Sequence, residues 1–262
     1  MDKQQKITWV ECPRDAMQGW PHTIATDIKV AYLQQLLKVG FDILDCGSFV
    51  SPKAIPQMAD TKAVLAQLDT SQSATKLLTI VANIRGAEEA VTFSSISYLG
   101  FPLSVSETFQ LRNTNKTIAA SIEEVKAIQS LCVAHGKELV VYLSMGFGNP
   151  YGDPYDTEYI LQIIQQLVGM GIRTISLADT VGVAAPSTIA YLFDALIPAF
   201  KEVRFGAHFH STWEGAEAYF TFADKPALVM GILALSAIVV VGSIIFGSRH
   251  EKECYVKVDN GH

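Results

Sequence analysis

The chain has 262 residues, 49% of them hydrophobic and 18% charged, with a formal net charge of −6. Apolar content this high with ordinary charge excludes intrinsic disorder and fibrous architectures, and the length allows one large domain or two small ones. The acidic balance, without any long basic run, argues against a nucleic-acid partner. A mean hydropathy of +0.25 is high for a soluble enzyme, so its location along the chain matters.

The polar start, Met1 to Lys6, runs directly into apolar Ile7 to Val10, leaving no room for a signal or transit peptide. Cys12, Cys46, Cys132 and Cys254 lie far apart with no C-x-x-C pair, which is poor spacing for zinc or a disulfide framework and suits a reducing cytoplasm. A cytoplasmic location is therefore expected. Short apolar, β-branched runs predict strands over Ile7–Glu11, Phe41–Cys46, Leu77–Ala82, Ile96–Phe101, Glu138–Ser144, Arg173–Ala178 and Val203–His210. Amphipathic patterns predict helices over Asp27–Val39, Thr61–Leu68, Ser121–Ala134, Asp156–Met170 and Pro186–Phe200. Thr26 reads as the N-cap of the first of these, and Gly169-Met170-Gly171 as a helix stop.

Strand–helix alternation of this kind builds βαβ units and a parallel sheet. No G-x-G-x-x-G follows the first strand, which disfavours a dinucleotide-binding sheet. The fold class expected is α/β, a TIM (β/α)₈-type barrel with seven recognisable strand–helix units. Such a barrel carries its chemistry just beyond the C-terminal ends of its strands.

Ionisable groups collect at those ends: Arg14 and Asp15 after strand one, Asp45 in strand two, Ser106-Glu107 after strand four, Asp179-Thr180 after strand six, His208 and His210 at strand seven. Residues two apart in a strand face the same side, so both imidazoles share one face with Phe209 on the other. With Asp15 they make three ligands for a divalent metal; mixed imidazole and oxygen donors suit Mg²⁺, Mn²⁺ or zinc alike. Arg14 is then a fixed cation beside the metal, placed to stabilise an oxyanion. Each signal alone has a bland reading: a hydrogen-bonded core histidine, a loop salt bridge, or a helix N-cap at Asp45 or Asp179. Convergence at five strand ends of one architecture favours a site.

The segment Glu11-Cys12-Pro13-Arg14-Asp15-Ala16-Met17-Gln18 resembles the first-strand motif of the 3-hydroxy-3-methylglutaryl-CoA lyases, metal-dependent aldolase-like barrels. Ser48-Phe49-Val50-Ser51-Pro52-Lys53, continuing through Pro56-Gln57-Met58, is more specific to these lyases. Ser176 to Val183 and Ala207 to His210 complete a match over about residues 7 to 215. The resemblance implies retro-Claisen cleavage of hydroxymethylglutaryl-CoA to acetyl-CoA and acetoacetate, a step of leucine degradation and ketone-body metabolism. It implies an acyl-CoA substrate and Mg²⁺ or Mn²⁺ held by Asp15, His208 and His210. Arg14 would face the enolate, Gln18 would neighbour the substrate, and Asp179 would order the site. Asp45 stands where the family usually has glutamate and, one methylene shorter, would support Arg14 less closely, while Ala16 and Cys12 replace common glycines. A related barrel aldolase or acyl-CoA lyase is the alternative within the fold, and a homo-oligomer is expected.

Beyond about residue 215 the resemblance stops. The family's G-x-G-G-C-P loop, whose cysteine takes part in proton transfer, is absent, as is the asparagine that supplies a fourth ligand; Cys254 and Asn260 lack the corresponding context. Pro226 to Ser248 is instead 23 residues without a formally charged side chain. Length without charge favours a membrane-spanning helix there, anchoring a barrel that faces the cytoplasm. Rival readings are a buried eighth strand at Ala237–Val241 or sequence foreign to the barrel. The chain is thus divided into a barrel domain, residues 1–215, and a divergent segment, 216–262. A non-catalytic, membrane-tethered remnant of the family is the competing functional reading.

Overall fold

The computed structural model describes residues 7–210. Strands β1 Val10–Glu11, β2 Ile43–Ser48, β3 Lys76–Ile80, β4 Ile96–Ser104, β5 Glu138–Ser144, β6 Thr174–Asp179 and β7 Arg204–Phe209 pair in chain order, all parallel. Helices α1 Pro13–Gln18, α2 Thr26–Val39, α3 Thr61–Leu65, α4 Ile84–Ala90, α5 Glu107–Thr114, α6 Ile118–Ala134, α7 Thr157–Gly169 and α8 Pro186–Ala199 fill the connections. Among the described residues the architecture is an incomplete TIM barrel of seven strands.

The strands read as continuous apolar runs because both of their faces are covered. Leu44, Leu77, Leu99, Val141, Ile175 and Phe205 face the helices. Val10, Ile43, Leu78, Ile80, Val140 and Tyr142 form a second, smaller cluster on the inner face. Each such aliphatic side chain contributes about 1.5–3 kcal/mol on burial. Gly100 of β4 leaves the inner space that its neighbours fill. A Cβ there would lie 2.6 Å from Ile80 Cδ1 and 2.8 Å from Tyr142 Cε2.

Several expectations are corrected in detail. β1 is only two residues long, and Pro13, which cannot donate to a ladder, follows almost at once. β2 extends past Asp45 to Ser48, with a register shift between Asp45 and Gly47. β4 continues through Pro102 and pairs with β5 as far as Ser104. Thr26 does not cap α2: Ala25 holds that position without a side-chain bond, and the Thr26 hydroxyl donates to Asp60 Oδ2 at 2.7 Å. The stop at Gly169-Met170-Gly171 is observed, with Gly171 at φ +87°.

Cys12, Cys46 and Cys132 are buried free thiols. Among the described residues no helix is long and apolar enough to cross a membrane. The 226–248 run, Cys254 and Asn260 lie outside the described residues.

Candidate metal centre

Asp15 sits in α1, one turn beyond the end of β1, and acidic groups suit a helix N-terminus. His208 lies in β7 and His210 directly follows its end, while Phe209 turns to the outer core against Phe147, ring centroids 5.4 Å apart. His208 Nε2 lies 3.1 Å from Asp15 Oδ2 and 3.2 Å from His210 Nε2, and His210 Nε2 lies 3.4 Å from Asp15 Oδ2. One ligand atom from each residue falls within 4.8 Å of the others.

His210 Nδ1 lies 3.1 Å from the Thr180 carbonyl. That oxygen only accepts, so Nδ1 carries a proton; Nε2, which faces the cluster, offers a lone pair to a cation when the ring is neutral and donates to Asp15 when the ring is protonated. A backbone carbonyl fixing the tautomer of a metal-ligating histidine is a familiar device. Two imidazoles and one carboxylate converging at this spacing fit a divalent cation.

Asp15 is held well below the usual carboxylate range. Burial alone would raise it, but the Arg14 cation and hydrogen bonds with His208 and His210 outweigh burial. His210 is raised by its hydrogen bond to Asp15, with burial opposing.

Arg14 is pinned from three sides. Its Nε and Nη2 donate to Asp45 Oδ2 at 3.0 and 2.6 Å, and Nη1 donates to Asp15 Oδ1 at 2.9 Å and Gln18 Oε1 at 3.1 Å. Of the five guanidinium hydrogens, one on Nη2 is left uncommitted among the described residues. Burial pushes the Asp45 carboxyl up, and the Arg14 charge opposes it.

Asp179 stands apart from the cluster. Its buried carboxylate accepts from the Val183 and Ala184 amides at 2.8 and 3.1 Å, folding the loop that presents the Thr180 carbonyl to His210. Neither Asp45 nor Asp179 is a helix N-cap: Asp60 precedes α3 and Ala185 precedes α8. Ser106, in contrast, caps α5 by accepting from the Phe109 amide.

Sequence reasoning missed three neighbours. The Thr180 carbonyl leaves no signal, since every residue has one. Tyr142 turns its ring edge-on to His208, centroids 5.9 Å apart at 79°, and a lone phenol in the aliphatic run of β5 was the clue. Buried Cys12 Sγ lies 3.9 Å from His208 Nδ1, at a position where the resemblance leads one to expect glycine. Elsewhere on the surface, Arg112 stacks over the Tyr151 ring at 4.9 Å and Lys116 is paired with Glu124, whereas Lys53 and Arg85 are exposed.

A parallel strand–helix barrel with its ionisable cluster at the C-terminal strand ends is the architecture of barrel enzymes. The chain belongs to the HMGL-like family, whose profile matches residues 6–226. It is 32% identical over 213 residues to hydroxymethylglutaryl-CoA lyase YngG of Bacillus subtilis, covering 81% of this chain and 71% of that one. It is 31% identical over 206 residues to the mitochondrial hydroxymethylglutaryl-CoA lyase of Arabidopsis thaliana, covering 79% of this chain but only 44% of that relative's length. An Acinetobacter baumannii HMG-CoA lyase solved in complex with coenzyme A and 3-methylmalate superposes with a TM-score of 0.81 at 26% identity, covering 90% of this chain and 76% of that one.

Proposed function

We propose that this chain is a divalent-metal-dependent carbon–carbon lyase that cleaves 3-hydroxy-3-methylglutaryl-CoA to acetyl-CoA and acetoacetate. The observation that carries this is the convergence of Asp15, His208 and His210, with Arg14 at its rim. Those three side chains would hold the cation, Mg²⁺ or Mn²⁺. A divalent cation there supplies a Lewis acid that orients and acidifies a hydroxyl chelated beside a carboxylate. The A. baumannii relative's ligands, coenzyme A and a hydroxy diacid, are consistent with such a substrate.

In the cleavage a base takes the C3 hydroxyl proton, the C3–O bond becomes the acetoacetate carbonyl as the C2–C3 electron pair leaves with the thioester half as an enolate, and a proton returned to the enolate carbon gives acetyl-CoA. The enolate oxygen gathers negative charge while the C2–C3 bond breaks. Arg14, oriented by Asp45, Asp15 and Gln18, offers its remaining Nη2 hydrogen to that oxygen. A preorganised donor of this kind contributes about 2.7–4 kcal/mol to the barrier. Asp45 and Asp179 act at one remove: Asp45 aims the guanidinium, and Asp179 shapes the loop that fixes His210.

Residues 1–215 form the barrel domain in this proposal, with 216–262 a separate segment that contacts the membrane through 226–248. The protein works in the cytoplasm as a homo-oligomer. Purified full-length protein loaded with Mn²⁺ should release acetyl-CoA from hydroxymethylglutaryl-CoA, and His208→Ala should abolish release. No turnover by folded, metal-loaded protein would overturn the activity and leave a non-catalytic family member. Recovery of the full chain wholly in the soluble fraction would reject the membrane contact.

A further inference from the structure

The opposite end of the barrel holds a second concentration of charge. A cavity of about 450 Å³ opens at the N-terminal strand ends, between the starts of β3, β5, β6 and β7. Lys76, Lys137, Arg173 and Arg204 line it, with Glu138 as the one carboxylate among its lining residues, so four cations less one anion leave +3. This occurs in a chain whose net charge is −6.

Glu138 is spent on Arg204. Lys137 Nζ donates to the Phe93 carbonyl at 3.1 Å and the Ile96 carbonyl at 2.5 Å, and Arg173 Nη1 donates to the Val168 and Ile172 carbonyls at 3.1 and 2.9 Å. Those carbonyls fix the two cations in place but leave their charge uncompensated. Lys76 is exposed and makes no ion pair among the described residues. Tyr98, half-buried and packed on the inner cluster, gives the cavity an aromatic wall. Pinned cations without counterions form a preorganised anion site, and a guanidinium fork flanked by ammonium groups matches phosphate oxygens.

We propose that this mouth binds a small phosphate-bearing anion, at a site separate from the candidate metal centre and independent of the proposed lyase activity. The test is calorimetric titration of pyrophosphate into the metal-free full chain at low ionic strength, with succinate as the carboxylate comparison. Saturable binding is expected, tighter for pyrophosphate than for succinate. Lys76→Gln and Arg173→Gln should each weaken it about tenfold, the loss of one charge-assisted hydrogen bond, while Arg14→Gln should leave it unchanged. Because Lys76 is exposed, its substitution tests the site without touching the core, whatever happens to the Arg173 variant. No binding at millimolar pyrophosphate, equal affinity for succinate, or affinity that both mouth substitutions leave intact would overturn the proposal.

Discussion

Arg14 and Asp45 meet as a two-pronged pair: both Nε and Nη2 of the guanidinium reach the same carboxylate oxygen, at 3.0 and 2.6 Å, with Asp45 only 1% exposed. The pair joins α1 to β2 and holds the cation at the edge of the candidate centre. Removing one member of a buried pair strands the other's charge, which costs about 3–5 kcal/mol. Asp45→Ala should therefore lose that much stability in urea denaturation, and lyase turnover should fall with it. Arg14→Lys should keep the charge but lose the fork, so stability should survive better than turnover. Equal losses in both assays for Arg14→Lys would argue that the residue is purely structural.

Cation binding can be read directly. Mn²⁺ at about a hundred times its dissociation constant should stabilise the fold by about 2.7 kcal/mol, and chelation should reverse the gain. Asp15→Asn or His210→Ala should remove it. Ligation needs neutral imidazoles, and His210 is raised by its bond to Asp15. Protons therefore compete, and Mn²⁺ affinity should weaken as pH falls below neutrality. A calorimetric pH series showing flat affinity would contradict this ligand set.

Glu11 makes a separate pH prediction. It is 2% exposed on β1, and burial raises its carboxyl to about 7 from 4.5. Its folded pKa is raised, so the unfolded chain ionises first. The associated stability is complete below about 4.5 and is lost as pH climbs through 7. The loss totals roughly 3 kcal/mol at 1.36 kcal/mol per unit. Glu11→Gln should flatten the stability profile over that window and stabilise the protein at pH 8. A profile parallel to that of the parent chain would show Glu11 to be ionised in the fold.

Gly100→Ala tests the packing behind the histidines. The new methyl would sit under 3 Å from Ile80 Cδ1 and Tyr142 Cε2, and Tyr142 lies edge-on to His208. Overpacking of this kind costs about 1–3 kcal/mol. Thermal denaturation should show the loss, and Mn²⁺ affinity should fall as the Tyr142 ring pushes on His208.

Much of this was legible in the chain. The strands announced themselves because a parallel sheet buried on both faces needs unbroken aliphatic runs, as in Leu139 to Leu143. The helices that escaped notice, α1, α4 and α5, are six to eight residues long, too short for a 3.6-residue period to repeat convincingly. Asn83 and Ser106, which cap α4 and α5, were the better signals. The chemistry at Arg14, Asp15, His208 and His210 could be named from residue type and strand position. What Asp179 holds, a pair of loop amides, could not, because its partners are set by the fold; that Asp45 supports the Arg14 guanidinium, 31 residues away, was legible only through the resemblance.

Asp15 and His208 are 193 residues apart in sequence; one sits in α1 directly after β1 and the other in β7, the two margins of the sheet among the described residues. Their 3.1 Å approach therefore measures how far the whole ribbon has curled. A cation held between them, as proposed, would work as a clasp on the seam, and part of its binding free energy would go into keeping the sheet rolled. Core substitutions far from any ligand, in β3 or β4, should then register as weaker metal binding whenever they let the curl relax.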